Sequence, residues 1–112
     1  MSIEDFENCM RGEYNQDAEA VRFIVQIFQL GGEDALKMIK DNWEKISAAA
    51  GIIKALAKIG AQSAMVKFLQ TILSAAGAAV VEVLAAMLAG LALGAVLLAV
   101  DAGNACAARA LN

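Results

Sequence analysis

An all-α fold follows from three features of the sequence. Proline is absent, the β-branched alternation that marks strands is rare, and apolar residues recur at three- and four-residue steps. A length of 112 residues fits one domain, 1–112. The expected architecture is a small helical bundle of about four or five helices with a very apolar, Ala/Gly-rich C-terminal helix or helical hairpin. Apolar residues make up 60% of the chain and aromatics only 5%, against roughly 45–50% apolar in soluble domains. The excess is therefore small and aliphatic.

The first ten residues read as a short helix capped by Ser2, with Glu4 and Asp5 in the first turn, where the helix dipole favours negative charge. Arg11 to Asn15 reads as a connection. From Asp17 to Leu30, the residues Ala20, Val21, Phe23, Ile24, Val25, Ile27, Phe28 and Leu30 form a wide apolar face opposite Arg22, Gln26 and Gln29. Gly31-Gly32 is expected to stop this helix, and Glu33 and Asp34 to begin the next. There Leu36, Ile39, Trp43, Ile46 and Ala50 share one face.

Between Gly51 and Gly60, Lys54 and Lys58 stand one turn apart among Ile52, Ile53, Leu56 and Ile59. Lys67 does not continue their face, which predicts a bend near Gly60. From Ile72 to Val100 the single charge is Glu82. As one continuous helix this stretch is about 43 Å long, more than the ~30 Å hydrocarbon core of a bilayer. The register that keeps charges at the interfaces is a span from Val83 to Val100, about 27 Å, between Glu82 and Asp101. A turn near Ser74 to Gly77 makes a hairpin instead.

Charge divides the chain into three zones. Residues 1–44 are acidic, with a net charge of −6, and form amphipathic helices. Residues 45–70 are a cationic amphipathic segment of +4 with no acid, and residues 71–112 are a nearly uncharged apolar tail of −1. The cationic segment suits an anionic lipid surface, with Lys54, Lys58 and Lys67 as the lipid-surface contacts. A lysine stripe packed beside the acidic head gives the same pattern.

On the tail, Ala78, Glu82, Ala86, Gly90 and Gly94 recur every four residues. They are the expected membrane or oligomer contact, because small side chains let helix backbones approach closely. Glu82, alone in an apolar run, needs a partner such as Lys67 or Lys58, or water, or a neutral state.

Histidine is absent, and there is no nucleophile constellation, phosphate-binding glycine loop or recognisable carboxylate pair. No enzymatic activity, cofactor, metal or small-molecule substrate is expected. The acidic head and a basic stretch of only four lysines argue against nucleic acid. Cys9 and Cys106 form no CxxC pair and read as two unpaired small apolar side chains, with a disulfide between them the alternative. No basic region followed by an apolar run opens the chain, so synthesis is expected to begin in the cytosol without a signal peptide. Membrane association then follows directly or through non-classical secretion.

In organisation alone, residues 45–100 resemble small pore-forming toxins, bacteriocins, and the hydrophobic hairpin that colicin-type pore domains sheathe in amphipathic helices. The resemblance implies a membrane-active protein, pore-forming or otherwise membrane-perturbing, that meets lipid and self-associates through its tail. Gly31-Gly32 also resembles the double-glycine end of a bacteriocin leader. Gln29 and Gln26, however, are polar where such leaders are apolar, so an interhelical turn is the expectation.

Two alternatives use the same residues. One is a cytosolic helical homo-oligomer or interaction module that buries the tail. The other is a single-pass membrane protein with its N-terminal domain inside, since eight of the nine basic residues precede the span.

Overall fold

The computed structural model describes residues 2–110, and among them the chain is all-α, with six helices and no strand. Helix α1 (Ile3–Asn8) begins as expected, with Ser2 Oγ accepting from the Asp5 amide at 3.1 Å. It runs on into a single π-helical turn, Cys9–Glu13, in which the Tyr14 amide donates to the Cys9 carbonyl at 3.2 Å. The expected connection from Arg11 is thus helical as far as Glu13. The chain reverses instead at Tyr14 to Asp17, where Asn15 takes the left-handed conformation (φ 52°) that asparagine tolerates better than most residues.

Helix α2 (Ala18–Asp41) is capped by Asp17, whose Oδ1 accepts from the Ala20 amide at 2.8 Å. Its two halves meet at Gly32, where φ 69° and ψ −163° place the backbone in a region open essentially to glycine alone. The Gly31-Gly32 turn is therefore a sharp kink rather than a loop. Asn42 then separates α2 from α3 (Trp43–Lys58), its side chain donating to the Met38 carbonyl at 2.9 Å. This divides the face expected to run from Leu36 to Ala50. The bend near Gly60 is present, with φ 72°, and α4 (Gln62–Ile72) follows it.

The apolar tail does not form one element. Residues Leu73 to Gly77 make a turn between α4 and α5 (Ala78–Gly90), where the hairpin turn was expected. A second interruption, not expected, comes at Leu91, whose extended backbone (φ −119°, ψ 155°) ends α5 before α6 (Leu93–Ala110). The predicted helix from Val83 to Val100 is thus two helices, and no helix of the described residues is long and apolar enough to cross a membrane. A straight helix of about 43 Å also exceeds the longest dimension of the folded molecule, 39 Å. Folding back at Leu91 lets both segments lie along α2.

Helix α2 is the centre of the bundle. It packs chiefly against α6 and α5, while α3 and α4 pack on each other and on α5. Ile24, Ile27, Leu36 and Ile39 of α2 share one core with Leu84 and Met87 of α5 and Val96, Ala99 and Val100 of α6. Among the described residues no polar or charged side chain is buried. Close approach of α6 to α2 depends on Gly103, since a Cβ there would lie 2.7 Å from Ile24 Cγ2 and 3.4 Å from Leu36 Cδ1. Asn104 Nδ2 links the same two helices, donating to the carbonyls of Leu36 and Val100 at 3.0 Å each.

The two cysteines, expected to be free, form a disulfide between Cys9 and Cys106. It fastens the π-helical turn to the end of α6. Phe6 stacks on Phe28 with ring centroids 4.5 Å apart. Arg109 pairs with Glu13 and lies over the Tyr14 ring at 5.8 Å. The N-terminal segment is thereby fastened to α2 through Phe28 and to the C-terminal end of α6 through Cys106 and Arg109.

Candidate functional site

The cationic stretch resolves into side chains with different tasks. Lys54 is half-buried, and its Nζ donates to the carbonyls of Leu88 (3.2 Å) and Leu91 (3.1 Å). It satisfies the free carbonyls at the C-terminus of α5, where the helix dipole also favours a cation. Lys54, expected at a lipid surface, thus has partners for its ammonium within the fold. Partners 34 and 37 residues away leave no local mark in the sequence. Lys58 and Lys67 are exposed, on α3 and α4 respectively, on either side of the Gly60 bend.

The small-residue face is divided in the same way. Ala78, Glu82, Ala86 and Gly90 all lie on the exposed side of α5, joined by Ala79 and Ala89. Gly94 lies beyond the break, in α6, so the Gly90–Gly94 pair does not form one continuous helical ridge. Glu82 shares a shallow groove of about 250 Å³ with Lys67, Ser63 and Gln70 of α4. Lys67 is thus the cation nearest to the expected role, although among the described residues the pair does not close to an ion pair, and Glu82 is exposed to water.

The sequence set Ile52, Ile53, Leu56 and Ile59 around the lysines as the aliphatic side of the segment, and of these α3 and its C-terminal cap turn Ile52 and Ile59 outward. Ile52 is 51% exposed and Ile59 76% exposed, alongside the exposed Ala48, Ala55, Lys45 and Lys58. Ile46, Ala49, Ala50 and Ile53 fill the opposite, buried face. Periodicity alone does not separate Ile52 from Ile53, because helical neighbours stand about 100° apart and can share one wide buried face, as Ala49 and Ala50 do here.

A cavity of about 680 Å³ lies between α1, the π-helical turn and α2. Its rim carries Glu7 and Glu19 as well as Arg11 and Arg22, a balance that favours neither an anionic nor a cationic ligand. No group of three or more metal-ligating side chains occurs among the described residues.

No protein-family model matches the chain, and no curated protein or solved structure is significantly similar to it. The site has to be read from its own chemistry. That chemistry is a helix face of exposed isoleucines and lysines, with Glu44 at its N-terminal end.

Proposed function

We propose that this is a membrane-active helical protein that meets anionic lipid surfaces through the outward face of α3. The observation that carries the reading is the exposure of Ile52 on α3 and of Ile59, the residue that ends it, beside Lys58, with Lys45 at the helix's other end. No acid falls between Lys45 and Gln70. Such a face lies in the headgroup region with its aliphatic side chains below the lysines. Burying the exposed parts of the two isoleucines contributes about 3 kcal/mol, and each lysine near an anionic surface about 1 kcal/mol. These magnitudes describe reversible surface binding by the folded protein.

The Cys9–Cys106 bond supports a working location in an oxidising compartment, since structural disulfides persist there and are rare in the reducing cytosol. Self-association through the exposed Ala78, Glu82, Ala86 and Gly90 face of α5 is a second reading. It is favoured by the absence of any long apolar side chain from that face.

Flotation with vesicles of zwitterionic lipid, with and without an anionic lipid, tests the first reading, and a trapped dye reports perturbation. Binding is expected with anionic vesicles, reduced by salt and lost in the Ile52→Asn/Ile59→Asn variant. A protein that stays at the bottom of the gradient with both vesicle types does not have this function.

A further inference from the structure

We infer that α3 is also the contact through which two copies of this chain pair antiparallel in water. Ala48, Ile52 and Ala55 of α3 and Ile59, the residue that caps it, follow one another at steps of four, three and four residues, the spacing of an interhelical seam, and all four are exposed. Along one flank of this seam Glu44, Gly51 and Lys58 stand seven residues apart and are also exposed. In an antiparallel pair, flank residues of one kind face each other. A two-fold axis beside Gly51 therefore sets Glu44 of each copy against Lys58 of the other, and Ile52 of each against Ala48 of the other.

The flank is thus complementary to itself, with an acid at one end and a base at the other. At the crossing point Gly51 has no side chain, and nothing lies within 4 Å of where a Cβ would stand, so the helices meet without obstruction. A closed two-fold contact of this kind is isologous and stops at two copies. One sixteen-residue helix offers a small interface, well below the area of a permanent dimer, so pairing depends on concentration. The pairing stands whether or not the lipid reading does. Where both hold, a vesicle and a second copy compete for the same isoleucines.

Sedimentation or light scattering of the intact, disulfide-bonded protein over a range of concentrations reads the association, with circular dichroism confirming that each variant stays helical. A monomer–dimer equilibrium is expected. Glu44→Lys and Lys58→Glu should each weaken it about tenfold, because symmetry applies each like-charge contact twice. The combined Glu44→Lys/Lys58→Glu chain should regain the original association. A monomer at every concentration overturns the inference, as do single variants that associate unchanged or a combined variant that is not restored. Flotation on anionic vesicles by a strict monomer would overturn the pairing alone, and a charge-dependent dimer that never floats would overturn the lipid reading alone.

Discussion

Cys9 and Cys106 are joined with their Cα atoms 5.9 Å apart across a separation of 97 residues, so one covalent bond closes nearly the whole chain into a loop. A cross-link over so long a loop acts mainly on the unfolded chain, whose freedom it removes. Reduction, or Cys9→Ser with Cys106→Ser, is expected to lower stability by about 2–5 kcal/mol, toward the upper end for a loop of this length. Urea unfolding with and without a dithiol reductant measures it. An unchanged midpoint would mean that the bond contributes nothing to the folded state.

The kink at Gly32 admits no other residue without strain, because φ 69° with ψ −163° brings a Cβ against the backbone. Gly32→Ala is expected to cost about 1–3 kcal/mol, although nothing lies within 4 Å of the added Cβ. The loss is thus conformational rather than steric crowding by neighbours, and thermal unfolding of the variant reads it.

Gly103 poses the opposite case: an ordinary helical backbone with no room beside it. Gly103→Val is expected to destabilise by about 1–3 kcal/mol through its contact with Ile24 and Leu36. At Gly94, also helical but facing open space, Gly94→Ala is expected to raise stability by up to about 1 kcal/mol. Equal effects at the two positions would contradict the packing of α6 on α2.

Lys54 and Lys58, one turn apart, are expected to separate cleanly by function. Lys54→Met removes the ammonium from the Leu88 and Leu91 carbonyls and should cost about 1–2 kcal/mol of stability, with vesicle affinity unchanged. Lys58→Met should leave stability within about 0.5 kcal/mol and weaken binding to anionic vesicles severalfold. Parallel unfolding and flotation measurements on the two variants check this, and a reversal of the pattern would reassign the lysines.

Much of the helical order was legible from local chemistry. Ser2 and Asp17 begin α1 and α2 because their side-chain oxygens reach amides three residues ahead. Glycine at positions 32 and 60 interrupts the chain because it alone enters those conformations without penalty. The Ala, Leu and Val content of the tail declared that it had to be covered. It did not say by what, since an all-round apolar helix suits a bilayer and a bundle interior equally.

Tertiary structure decided which apolar faces are covered and which long side chains meet. The break at Leu91 carries no strong sequence signal. With the break in place, α5 and α6 both pack on α2. Lys54 became a cap, and Cys9 met Cys106, through contacts between residues 34 to 97 positions apart. Local periodicity cannot report such contacts, because they exist only once the helices have been placed. The outward face of α3 emerged in the same way, as the part of the apolar and cationic pattern that the packed core left uncovered.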